Sequence, residues 1–150
     1  MSHSAELAGK AVLITGAAGH IGYVAAETLA ELGAEMAMLD LDRQSCRERA
    51  NELHSKFGVS AMPIECDLLD EEDTRRSAAY AIEKMGGLDV LVHCAGYVGT
   101  TNVGGWVGPL EEQTVAAWDE GMRVNLTSAF VLAQECQRAL ASAKVGSIVL

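Results

Sequence analysis

Eight residues near the start of the chain, Thr15-Gly16-Ala17-Ala18-Gly19-His20-Ile21-Gly22, have the makings of an anion site without any lysine or arginine. They lie between a short apolar run, Ala11 to Thr15, and an amphipathic stretch that extends to about Leu32. In that setting Gly16 permits a tight turn. Gly19 removes a side chain that would keep a pyrophosphate from the backbone, and Gly22 lets a helix pack close to its strand. The start of such a helix offers free N–H groups and a partial positive charge to phosphate oxygens. Gly16, Ala18, Gly19, His20, Ile21 and Gly22 are therefore the candidate phosphate contacts. The His20 ring has two readings, a phosphate contact or a solvated loop histidine.

Asp40 follows at the end of a second apolar run, Glu35 to Leu39. An acid there can accept hydrogen bonds from the ribose hydroxyls of a dinucleotide, and its charge repels a 2′-phosphate. No arginine immediately follows the first glycines, so NAD is expected rather than NADP. Leu41 would share that end of the site. The competing role for Asp40 is capping the next helix, for which Asp42 is better placed. Asp67, with Cys66 and Leu68 beside it, is placed to meet an adenine edge, or else is a loop acid ahead of Asp70. His93 reads as a satisfied core histidine, and Trp106 and Trp118 as packing residues. Cys46, Cys66, Cys94 and Cys136 form no Cys-x-x-Cys pair, so neither a metal site nor a disulfide framework is expected.

These residues need a scaffold, and the chain alternates strand and helix throughout. The first helix shows an apolar stripe of Ile21, Val24, Ala25, Leu29 and Leu32 before Gly33. The second runs from Asp42 to Phe57, and the third from Asp70 to about Met85. Strands are expected at Val59 to Cys66, where Pro63 suggests an edge, at Leu88 to Cys94, and from Gly146 onward. A glycine-rich loop, Tyr97 to Leu110, leads into a helical region from about Glu111 to Ala143, which Gly121 kinks or divides. The expected fold is α/β: one doubly wound, Rossmann-like parallel sheet over residues 1–150, strand order 3-2-1-4-5, reaching only into its fifth strand. Its ligand belongs at the carboxyl ends of the strands, beside the switch point between the first and fourth.

Composition excludes other classes. Acidic residues number 21 against 11 basic, for a net charge of −10. That balance argues against nucleic acid and against an anionic membrane surface. The N-terminus shows no basic-then-apolar signal pattern, so a cytoplasmic location is expected.

The same residues resemble the short-chain dehydrogenase/reductase family. Thr15 to Gly22 is similar to its cofactor loop, Asp67-Leu68 to its adenine pocket, and Cys94-Ala95-Gly96 to its Asn-Ala-Gly turn. Val124-Asn125-Leu126 through Phe130 resembles its central helix, where Asn125 matches the catalytic asparagine whose helix holds a water in the proton relay. The resemblance implies an NAD(P)-dependent oxidoreductase moving hydride between nicotinamide and a carbonyl or alcohol of a small-molecule substrate, and a homo-oligomer. His20 stands where the common branch has glycine, and His93-Cys94 where Asn-Asn is usual. The glycine spacing also resembles the extended, sugar-nucleotide branch, which leaves an epimerase or dehydratase as an alternative. The loop from Gly99 to Gln113 resembles members associated with surface-sugar or flagellin-modification pathways. Family members place a serine after the fifth strand and then a Tyr-x-x-x-Lys helix. The sequence reaches neither, so the 150 residues are expected to be a cofactor half, or otherwise a non-catalytic NAD-binding module. Tyr80 to Lys84 spells Tyr-x-x-x-Lys but precedes the fourth strand, where it is expected to be surface.

Overall fold

The computed structural model describes residues 6–98 and 103–150. Its centre is strand β1 (Ala11–Thr15), of which Val12 to Thr15 are fully buried. Alternate residues of this strand feed two separate cores, as the period of a strand requires. Val12 and Ile14 join Met36, Met38, Ala26 and Leu53 on one face of the sheet. Leu13 joins Ala37, Leu39, Leu91, Leu132 and Cys136 on the other. Burial on both faces is why the strand reads as a continuous apolar run.

The other strands are β2 (Glu35–Asp40), β3 (Ala61–Glu65), β4 (Val90–His93) and β5 (Ser147–Val149). All neighbours are parallel, in the order β3-β2-β1-β4-β5. The expected order and class are thus those observed. Pro63 lies in edge strand β3, where a missing amide costs least.

Helices α1 (His20–Glu31) and α2 (Arg43–Phe57) cover the first face. Helices α3 (Glu71–Met85) and α5 (Ser128–Ser142) cover the second. Asp42 caps α2 by accepting from the Ser45 amide at 3.0 Å, and Gly58 ends it with φ of 72°. Asp70 caps α3 by accepting from Glu72 and Asp73, and three acids follow in its first turn, where the helix dipole favours them.

Two expectations are corrected. In α1 the buried positions are Gly22, Ala26 and Ala30, while Ile21 is 76 % exposed and Val24 also faces out. The helix lies so close to the sheet that only glycine and alanine fit directly beneath it; Ala25 and Leu29 of the expected stripe pack partly against the core, and Ile21 and Val24 are displaced outward. The region after the loop is also several pieces. A short 3₁₀ turn, Leu110–Glu112, precedes α4 (Val115–Met122), and a π-turn, Arg123–Thr127, separates α4 from α5. Gly121 acts by packing: a Cβ there would run into the six-membered ring of Trp106. Trp106 is therefore a packing residue as expected, whereas Trp118 is 57 % exposed. Part of the Gly99 to Gln113 loop, residues 99–102, lies outside the described residues.

Candidate functional site

The loop between β1 and α1 folds back on itself. Gly16 adopts φ of 63°, and a Cβ on it would stand 2.8 Å from the Ala95 backbone. Only glycine fits where two loops from neighbouring strands meet this closely. A Cβ on Gly22 would collide with the Gly16 carbonyl, so that glycine also serves close packing. Within the loop, the Ala17 amide donates to the Leu39 carbonyl, Ala18 to the Asp40 carboxylate at 2.9 Å, and Gly19 to the Gly16 carbonyl. The next amides, of His20, Ile21 and Gly22, open α1, where a helix has no internal acceptors. Its N-cap, Gly19, supplies no side-chain cap. Those amides are the groups that would meet an anion.

A cavity of about 350 Å³ lies against this loop at the carboxyl ends of the strands. Gly16 and Gly19 line it from β1, and Asp40 and Leu41 from β2. Cys66, Asp67 and Leu68 line it from β3, and Cys94, Ala95 and Gly96 from β4. Val124 closes one side from the π-turn. Residues far apart in sequence are thus brought together beside the β1–β4 switch. Ala18, His20, Ile21 and Gly22 sit at the adjoining helix start and do not line the cavity itself. Leu39, Leu69 and Tyr97 line it without having been singled out by sequence. The first two flank named residues, and Tyr97 follows Gly96, so adjacency was the available signal.

The Asp40 carboxylate is held at both oxygens, by the Ala18 amide and by the Asp42 amide at 3.1 Å. Capping of α2 belongs to Asp42. A carboxylate offers about four lone-pair sites, so Asp40 retains acceptors for hydroxyl groups. The Asp67 carboxylate accepts from the Leu69 amide at 2.9 Å, and the Asp67 amide donates to Asp73. A cradle of backbone amides next to acceptor carboxylates fits a dinucleotide: anionic in the middle, hydroxyl-bearing at the ribose.

Asn125 lies in the π-turn and does not line the cavity. Its Oδ1 accepts from the Tyr97 amide at 2.6 Å, and its Nδ2 donates to the Tyr97 carbonyl at 3.1 Å. The side chain thereby clamps the turn that follows β4. Tyr80 and Lys84 sit on α3, with the Lys84 ammonium 5.3 Å from the Tyr80 ring, away from the cavity.

A parallel doubly wound sheet with an uncapped glycine-loop helix and an acid at the end of its second strand defines a dinucleotide-binding α/β protein. Residues 10–150 match the family model described as short chain dehydrogenase, and the chain belongs to that family. It is 30 % identical over 144 residues to a D-threitol dehydrogenase of Mycolicibacterium smegmatis, covering 96 % of this chain and 52 % of the relative. It resembles the crystal structure of an NAD⁺-bound xylitol dehydrogenase with a TM-score of 0.84 at 29 % identity, over 95 % of this chain and 52 % of that one. A metagenomic short-chain oxidoreductase in complex with NADP gives 0.84 at 31 % identity, covering 95 % and 62 %. The chain spans about half the length of the curated relatives it matches.

Proposed function

We propose that this chain forms the cofactor-binding half of an oxidoreductase that moves hydride between nicotinamide and a carbonyl or alcohol of a small molecule, with NAD preferred to NADP. In this reading the amides of His20, Ile21 and Gly22 receive the pyrophosphate. Asp40 and Leu41 meet the adenosine ribose, and Cys66, Asp67 and Leu68 surround the adenine. Cys94, Ala95, Gly96 and Val124 flank the remainder of the cofactor. Asn125 acts as a positioning residue by fixing the turn at Tyr97. Bound nicotinamide supplies the hydride donor or acceptor. Relatives and neighbours bearing dehydrogenase and reductase names support the reaction class. Solved neighbours hold NAD⁺ in one case and NADP in two, so the preference rests on this chain's own residues.

The observation that carries the preference is the Asp40 carboxylate, tied to the Ala18 amide at 2.9 Å in the cavity wall. A 2′-phosphate brought beside it would set like charges together in a partly dry site. Isothermal titration calorimetry tests this. NAD⁺ is expected to bind at least tenfold more tightly than NADP⁺, about 1.4 kcal/mol. Asp40→Ala should weaken NAD⁺ binding and narrow the gap. Binding of neither nucleotide refutes the site, and tighter NADP⁺ binding refutes the role of Asp40.

The same proposal includes self-association. Val115, Trp118, Leu126 and Phe130 form an exposed apolar row along α4, the π-turn and α5. A second copy of the chain would cover it. The free state of all four cysteines suits a reducing, cytoplasmic setting.

A further inference from the structure

Behind the cavity lies a chain of buried polar groups that the cofactor reading leaves unused. Thr15 is fully buried, His93 is 9 % exposed and Ser128 is 2 % exposed. Thr15 Oγ1 lies 2.8 Å from His93 Nδ1 and accepts from the Ala95 amide at 3.2 Å. His93 Nε2 faces Ser128 Oγ at 3.5 Å, and the His93 ring is also hydrogen-bonded by the Val124 backbone. The Ser128 hydroxyl donates to the Val124 carbonyl at 2.6 Å.

The donors and acceptors determine where the proton sits. Ser128 has spent its only hydrogen on Val124, and the Val124 carbonyl only accepts. Whichever of the two His93 Nε2 addresses, that nitrogen must carry the hydrogen. Nδ1 is then bare and accepts from the Thr15 hydroxyl. Each group in the chain is satisfied once, running Ala95 to Thr15 to His93 to Ser128 to Val124.

The ends of this chain are the informative part. Thr15 immediately precedes Gly16 of the phosphate loop. Val124 and Ser128 bracket the π-turn, in which Asn125 clamps Tyr97. A π-turn breaks the regular helical ladder, here with the Ser128 amide reaching back to the Arg123 carbonyl, and such turns are rare. We infer that His93 is a positioning residue that fastens the strand bearing the phosphate loop to the π-turn bearing Asn125. The role of that link in cofactor binding rests on the proposed dinucleotide site. The link itself does not.

Histidine suits the task by its length. An asparagine at 93 can present an oxygen to Thr15 but stops short of Ser128, so His93→Asn cuts one end of the link and keeps the other. Hydrogen–deuterium exchange and imidazole ¹⁵N spectra of the full chain test the inference. In the ligand-free protein, amides of residues 123–128 should exchange at least tenfold faster in His93→Asn and in Ser128→Ala. Amides of β1 and β4 should stay within twofold. The His93 spectrum at pH 7.5 should show hydrogen on Nε2 and none on Nδ1. Uniform acceleration of strands and turn together, no acceleration of the turn, or the opposite tautomer each overturn it. With saturating NAD⁺, residues 15–22 should be protected in wild type and variant alike, and residues 123–128 in wild type alone. Equal protection of 123–128 in His93→Asn overturns the link. Absence of protection at 15–22 in wild type overturns the dinucleotide reading, and the ligand-free arms still decide the role of His93.

Discussion

Cys94 is the half-buried member of four free thiols, and it lines the cavity at the carboxyl ends of the strands. Burial pushes Cys46 and Cys66 up to about 11 and Cys136 up to about 12, and raises Cys94 as well. Thiolate is the reactive form, so access decides which thiol reacts. Cys94 should be the first alkylated by N-ethylmaleimide, followed by peptide mass spectrometry, and NAD⁺ should slow it several-fold. First labelling of Cys136 would contradict the burial order. His93 makes a pH prediction. Desolvation lowers its affinity for a proton below the ordinary value of 6.5, so the unfolded chain binds that proton more readily. Its contribution to stability is complete above that value and declines as pH falls through 6.5 and below. Urea melts between pH 7.5 and 5 should show this loss, and His93→Asn should lessen it. An unchanged slope in the variant would assign the acid sensitivity elsewhere.

Elements differ in how plainly the sequence announces them. The caps at Asp42 and Asp70 are local chemistry, and each opens the helix that the sequence starts there. Asp70→Ala should cost about 1 kcal/mol, seen as a lower urea midpoint with unchanged slope. A larger loss would mean that Asp70 supports more than α3. The glycine loop is legible for a similar reason, since a strand, three glycines and a helix are contiguous. The π-turn is not. Periodicity across Val115 to Ala133 suggests one helix, because three- and four-residue spacing runs on through the turn, with Ala117, Gly121, Val124 and Ser128 all buried, and hides the shift from α to π hydrogen bonding. The clamp of Asn125 on Tyr97 and the reach of His93 to Ser128 depend on that shift, and so escape a reading by spacing. The exposed Ile21 and Val24 escape it too, because how closely α1 approaches the sheet depends on the glycine at 22 and not on the stripe.

At the scale of the molecule, strand order and the switch point follow from the alternation of strand and helix and from right-handed crossovers. What covers the surface does not. The row of Val115, Trp118, Leu126 and Phe130, with Phe130 61 % exposed, runs along α4, the π-turn and α5. If a second copy covers it, Phe130→Glu should lower the sedimentation coefficient to that of a monomer while leaving NAD⁺ affinity within a few-fold. A wild-type monomer at all concentrations would dismiss the pairing. The sheet order also sets a timetable. Strand β1 pairs on one side with β2, where Val12 meets Met36, and on the other with β4, where Val12 meets Val90. At roughly 5–20 residues per second, the ribosome delivers Met36 within seconds of Val12, but Val90 takes about three times as long. For that interval the most buried strand of the finished protein has one bare edge, and the newborn chain depends on its surroundings to keep that edge from pairing with a stranger.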